Sequence, residues 1–164
     1  MEEDIKTFLS QKRIAVAGVS RKGDVPANAI YKKLRSAGYQ VFAVNPNASE
    51  LEGDVSYPDI AAIPGGVSGL VMAAHPSHAA GLVQQCIDSS VQLIWFHRSV
   101  GQGSYDEDAA AMARKAGVSV IPGGCPMMYC QPVDLFHRCF RWMCGYPKMS
   151  KQVQADEIKS IKVR

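Results

Sequence analysis

What the chain has little of narrows its class first. No apolar run approaches the roughly 20 residues that a helix needs to cross a bilayer, so a membrane is not an expected partner. The opening MEEDIKTFLS is acidic and lacks the cationic and apolar regions of a signal peptide, which makes a cytoplasmic protein the expectation. An excess of one charge is missing too. Of 18 Lys+Arg and 15 Asp+Glu, five basic and two acidic residues fall from Lys148 onward, which leaves 13 of each in the rest. A neutral body has no broad basic face, so nucleic acid is not expected as a partner either. The five cysteines, an odd number with no export signal, predict reduced thiols rather than a disulfide framework.

What is present is a chain of 164 residues, 47% of them apolar, long enough for one domain with a full core. That domain is expected over 1–147. Residues 148–164 read as a peripheral basic tail in which Val153, Ile158 and Ile161 give only a thin apolar stripe. The rest of the chain is organised around Lys12 to Asp24, KRIAVAGVSRKGD. Ile14 to Val19 is rich in β-branched residues, as suits a strand buried on both faces. Gly18, Ser20, Arg21, Lys22 and Gly23 make a cationic, glycine-bearing turn, and Asp24 as cap with Pro26 in the first turn marks a helix start. Strand, turn and helix start in this order present free backbone N–H groups and the positive end of a helix dipole to a phosphate. The plainer alternative is an ordinary strand-to-helix turn.

The remaining elements follow in alternation. A short helix is predicted over Asp4–Gln11, and another over Pro26–Ala37, where Ala27, Ile30, Leu34 and Ala37 share one side and Gly38 ends it. Tyr39–Val44 reads as a second buried strand, stopped by Asn45-Pro46-Asn47. Leu51–Gly66 is loop-like, with a short helix expected at Tyr57–Ile63. Leu70–Ala74 is a third strand, and Ser77 is the expected cap of a helix running to about Ser89. Val91–Phe96 is a fourth strand, Tyr105–Ala116 a helix, and Val118–Ile121 a fifth strand. No two-residue hairpin turn is evident. The pattern predicts an α/β fold: a parallel sheet of about five strands with helices on both faces, plus a C-terminal helix.

Such sheets bind ligands where the strand order reverses, at the carboxyl ends of the strands. The loops to watch are therefore 18–22, 45–47, 74–78, 97–103 and 122–130. A dinucleotide fingerprint requires G-x-G-x-x-G and an acidic residue at the end of the second strand. Here Ser20 stands where the second glycine is needed, and the second strand ends in Asn45-Pro46, so NAD is the lesser expectation. A phosphate-binding G-x-x-x-x-G-K-[ST] loop fails as well, because Asp24 follows Gly23.

Taken together, GVSRKGD, GYQVFAVNP, HPSHAA and IWFHRSVGQ, each following or spanning a strand, resemble the CoA-binding domain family. The resemblance covers roughly Phe8 to Pro147, including GGCP and FHRCFRWMCGYPK. The family includes stand-alone proteins and the amino-terminal domain of the succinyl-CoA synthetase α-subunit. It implies a Rossmann-like fold that binds coenzyme A at the strand ends. By position, the resemblance implies that Gly18, Ser20, Arg21 and Lys22 face the CoA phosphates. Asn45 and Pro46 would border the adenosine, Ala74, His75 and Pro76 would line the adenine pocket, and His97 with Arg98 would approach from the fourth loop. This chain has His97-Arg98-Ser99 where many relatives have a Gln-Pro-Gly type sequence.

Simpler roles compete at several positions. His75 and His78 could cap the following helix, His97 and Arg98 could form surface ion pairs, and Asn28 reads as a first-turn helix residue. Cys125, Cys130, Cys139 and Cys144 are too widely spaced for a zinc site, so no metal is expected. In a helix over Val133–Cys144, Leu135, Phe136, Cys139, Phe140 and Met143 share one face, which places Cys139 in the core. Trp142 lies off that face, and an exposed aromatic there favours a homodimer. Cys125, beside Gly123-Gly124, is positioned to reach the cleft. No base is paired with it in sequence, and the helix of His137 is expected to carry that residue away. Three readings result: a non-catalytic CoA or acyl-CoA binding protein acting as sensor, carrier or regulator; an NAD-type redox protein; and a thiol enzyme acting on acyl-CoA through Cys125.

Overall fold

The apolar run after Lys12 becomes the central strand of the sheet. In the computed structural model, which describes residues 2–98 and 103–144, β1 (Arg13–Ala17) lies between β2 (Gln40–Val44) and a strand near residue 70. The chain continues through β3 (Glu50–Leu51), β4 (Asp54–Tyr57), β5 (Gly69–Met72), β6 (Leu93–Phe96) and β7 (Ser119–Ile121). The sheet order is β3-β4-β2-β1-β5-β6-β7, parallel except for the β3–β4 pair. The expected 148–164 tail lies outside the described residues.

Alternate side chains on each strand supply two separate cores, as the two-residue strand period requires. Ala15, Ala17, Leu70, Met72, Ile94 and Phe96 pack under α3 (Ala79–Asp88) and α4 (Glu107–Lys115). Ile14, Val16, Val71, Leu93 and Trp95 pack under α1 (Glu2–Ser10) and α2 (Pro26–Ser36). Phe8 of α1 reaches the sheet because β5 begins with Gly69, where a Cβ would sit 2.9 Å from the ring. Its ring meets Trp95 edge-on at 5.3 Å.

The structure corrects five expectations. The sheet has seven strands, because the segment read as a loop contains a hairpin, β3–β4, turned by Glu52 and Gly53 at φ 54° and 81°. Positive φ at both central residues is the hairpin-matched turn; Glu is an uncommon occupant, held here by contacts its sequence context does not advertise. Residues 58–65 form bends and turns, not a helix, with the Ala62 N–H donating to Asp59 Oδ1 at 2.8 Å. Asp24 does not cap α2: Val25 occupies that position without a side-chain bond. Ser77 does not cap α3 either. It lies in a short turn, Pro76–His78, capped by His75, whose Nδ1 accepts from the Ser77 N–H at 3.3 Å.

The fifth correction concerns α5 (Leu135–Cys144). Its apolar side is not core: Leu135, Phe136 and Met143 are 74%, 70% and 56% exposed, and Cys139 is exposed as well. The sheet faces are already covered by the four earlier helices, so α5 packs instead against the turn Pro126–Met128. Among the described residues no helix is long and apolar enough to cross a membrane.

Candidate functional site

From β1 the chain crosses to β2 on one side and later to β5 on the other, so the loops leaving these strands part. A cleft of about 800 Å³ opens between them, lined from Ala17-Gly18, Val44–Asn47, Ala73–His78, and Gly103-Ser104 after β6. It is the topological switch point, the expected ligand position in an open α/β sheet. Six of the eleven sequence-predicted residues meet here: Gly18, Asn45, Pro46, Ala74, His75 and Pro76.

Gly18, just after β1, passes tight against the backbone that leaves β5. Its φ is +104°, and a Cβ built there would lie 2.6 Å from the backbone C and O of Ala73 and 2.8 Å from the Ala74 nitrogen. Glycine is thus required by the floor of the cleft itself, whatever the cleft holds.

The following turn is braced from within. The side chain of Asn28, buried in α2, accepts from the Ser20 N–H at 2.9 Å and donates to the Ser20 carbonyl at 2.8 Å. Its amide also donates to Glu52 Oε1 at 2.5 Å. The Lys22 N–H donates to Ser20 Oγ at 3.2 Å, and the Gly23 N–H to the Ser20 carbonyl at 3.3 Å. Three of the N–H groups expected to face a phosphate are therefore engaged inside the loop. What remains turned to the cleft is the start of α2, through Val25 and Pro26. This 11-residue helix has no acidic residue in its first turn to compete with an anion.

Ser20, Arg21 and Lys22 do not line the cleft, although Arg21 and Lys22 are exposed beside it. Arg21 bridges two of the cleft-forming loops, donating from Nη2 to the Asn47 carbonyl at 3.0 Å. Asn45 does likewise, donating to the Val19 carbonyl at 2.9 Å and accepting from the Asn47 N–H at 2.8 Å. The second-strand residue that would grip a ribose in a dinucleotide fold is thus a brace between loops. Sequence reasoning passed over Asn28 as an ordinary helix residue. Its one signal was a poor helix former placed on the buried side of a helix. Gly81, Leu82 and Gln85 of α3 also line the cleft and were hidden inside a helical pattern.

His97 and Arg98 go elsewhere. Arg98 pairs with Gly124 across an isolated bridge, its N–H donating to the Gly124 carbonyl at 3.1 Å. His97 is 7% exposed, which argues against the alternative of a surface ion pair, and neither it nor Arg98 lines the switch-point cleft. His97 lines a second cavity of about 460 Å³ together with Cys125, Met127, Met128, Phe136 and His137. Neither His137 nor Cys125 lines the switch-point cleft, which Cys125 was expected to reach; both line this second cavity instead. Burial lowers the His97 imidazole to about 4 and raises the Cys125 thiol to about 11, against a smaller opposing bond from the Met127 backbone. A thiol at that value is protonated at neutral pH, and the imidazole is neutral. Neither group is therefore in the charged state of an activated Cys–His nucleophile. Among the described residues no group of three or more His, Cys, Asp or Glu is placed to hold a metal ion.

Comparison with known proteins identifies the family and the fold. The family described as a CoA binding domain matches residues 12–131. The uncharacterized protein YneT of Bacillus subtilis (strain 168) is 27% identical over 123 residues, which is 74% of this chain and 88% of the relative. A hypothetical protein from Pyrococcus horikoshii OT3 superposes with a TM-score of 0.71 at 30% identity, over 77% of this chain and 87% of that one. Prb, the PH1109 protein redesigned for binding, gives 0.72 at 29% identity, over 88% and 93%. A dinucleotide-forming acetyl-coenzyme A synthetase 1 from Ca. Korarchaeum cryptofilum shares the fold, with a TM-score of 0.60 at 24% identity over 71% of this chain and 26% of the synthetase. The chain belongs to the CoA binding domain family.

Proposed function

We propose that the protein binds coenzyme A or an acyl-CoA in the switch-point cleft, without catalysing a reaction on it, as a sensor, carrier or regulatory module. The observation that carries this reading is the meeting of Gly18, Asn45, Pro46, Ala74, His75 and Pro76 around one cleft in a chain of this family. The cleft is of the size that accepts a small-molecule ligand, roughly 300–1,000 Å³. The start of α2 favours the diphosphate, and the exposed Arg21 and Lys22 stand beside it for a further phosphate. The protonated Cys125 and neutral His97 argue against thiol catalysis. The same reading assigns the exposed Trp142 of α5 to a homodimer contact; sedimentation showing a monomer at high concentration overturns that part alone.

Native mass spectrometry of freshly purified protein, followed by titration calorimetry with CoA, dephospho-CoA and NAD, tests the assignment. A retained or titrated CoA species supports it. Tighter binding of NAD than of CoA refutes it.

A further inference from the structure

The second cavity is not needed to explain a site for the nucleotide part of CoA, yet it adjoins that site. Val25 and Pro26, at the start of α2, line both cavities. A ligand whose diphosphate rests against that helix start therefore has one end toward Asn45-Pro46 and the other toward β6 and β7, where the second cavity lies. The two ends differ in chemistry. The first is walled by Asn45, Asn47, His75 and Ser77. The second is walled by Val25, Pro26, Met127, Met128 and the ring of Phe136, with His97 and Cys125 deeper in the fold. Methionine side chains fill and yield space without a fixed shape, which suits a flexible aliphatic guest. Asp24 and Lys32 at this cavity are exposed, and Lys32 is 3.5 Å from Glu52; His137, which also lines it, is engaged through Nδ1 with Asp134 Oδ2 at 2.6 Å.

We propose that this second cavity holds the acyl chain of a bound thioester, so that the protein discriminates in favour of acyl-CoAs with apolar acyl groups. The proposal rests on the CoA reading above and names the ligand class within it. Burial of His97 and Cys125 leaves both groups neutral there, so neither would penalise a hydrocarbon as an ion would. An acyl chain in this place also covers the ring of Phe136, otherwise 70% exposed. That gives α5 a purpose as the outer wall of the site.

The test is a calorimetric series on the full chain with CoA, acetyl-CoA, butyryl-CoA, hexanoyl-CoA and succinyl-CoA. Each two-carbon extension within the cavity should tighten binding by about tenfold, as burial of two methylenes dictates. Succinyl-CoA, with its terminal carboxylate, should bind no tighter than acetyl-CoA. Two variants locate the effect. Ala29→Phe, which fills the cavity from α2, should make hexanoyl-CoA and CoA bind alike within that variant. Phe136→Ser removes an exposed wall, so folding is not at stake, and should weaken hexanoyl-CoA relative to CoA by at least fivefold. Equal affinities across the series in a protein that binds CoA overturn the acyl assignment and leave the CoA reading standing. Tightest binding of succinyl-CoA overturns the apolar preference. Failure to bind CoA or any thioester overturns both.

Discussion

Replacing Gly18 by alanine adds one methyl group at the point where the cleft-forming loops touch. Two costs arise together. At φ +104° an L-residue is strained by about 1–3 kcal/mol. The new Cβ also lies 2.6 Å from the Ala73 carbonyl, on a strand end held by the Ala73 N–H donating to the Ala17 carbonyl at 3.0 Å. Overpacking against backbone that cannot retreat adds about 1–3 kcal/mol. The expected loss is thus about 4 kcal/mol, or roughly 10 °C in melting temperature for a chain of this size. Gly38→Ala separates the two costs, because Gly38 has φ +89° and open space where the Cβ would go; it should lose only the backbone share. Differential scanning calorimetry on both variants measures the difference. If Gly18→Ala melts within about 2 °C of Gly38→Ala, the loops do not touch as described. The same argument makes Gly18→Val a folding mutation before it is a binding mutation, so the phosphate corner has to be probed at another position.

Lys22→Ala is that probe: CoA affinity should fall by about 1.5–3 kcal/mol, roughly ten- to a hundredfold, less at high salt because the contact is exposed. An equal loss for dephospho-CoA assigns Lys22 to the diphosphate, and a loss confined to CoA assigns it to the 3′-phosphate; no loss for either removes Lys22 from the site. Asn28→Ala should cost about 2–3 kcal/mol in urea denaturation, because the Ser20 N–H and carbonyl lose their shared partner in a partly buried place; a change under about 0.5 kcal/mol would mean that water replaces the clamp without penalty. His97 makes stability fall with acid. Its imidazole is lowered from 6.5 to about 4 by burial, so the unfolded chain binds a proton first as pH drops. Up to about 3 kcal/mol is lost between pH 6.5 and 4, and His97→Gln should flatten that part of the pH–stability curve; an unchanged slope would assign the acid loss elsewhere.

Much of the fold was legible because the strands of the inner sheet are buried on both faces. Their sequences, from IAVA to LIWF, are continuously apolar and separated by helices with clear periodicity. The edge hairpin was hidden for the opposite reason. Its strands are two and four residues long, its Val55 faces solvent at 62% exposure, and its turn uses Glu where Asn or Asp is the familiar signal. In the site, the order of the loops located the cleft, but pattern alone could not say which N–H groups were engaged. That depends on Asn28, eight residues beyond Ser20, and on Glu52, a further 24 along the chain. The face of α5 was misread because its periodicity is genuine; periodicity reports amphipathicity, whereas burial requires a vacant surface to cover, and α1 to α4 had taken both.

The Asn28 clamp has a consequence for how this chain can vary. Glu52 holds the hairpin turn at positive φ; it accepts from Asn28, which in turn fixes Ser20. Bonding to Asn28, more than the nearby Lys32, keeps the Glu52 carboxyl below the usual carboxylate range. A substitution at the outermost edge of the sheet should therefore be transmitted to the loop of Ser20, beside the cleft. Ser20 enters the clamp only through its backbone N–H and carbonyl, so the identity of residue 20 is free of it, whereas positions 28 and 52 are joined side chain to side chain. An exchange at 28 or 52 should be tolerated best with a matching exchange at the other, so a library randomising the two together should recover functional pairs that no single-site scan contains.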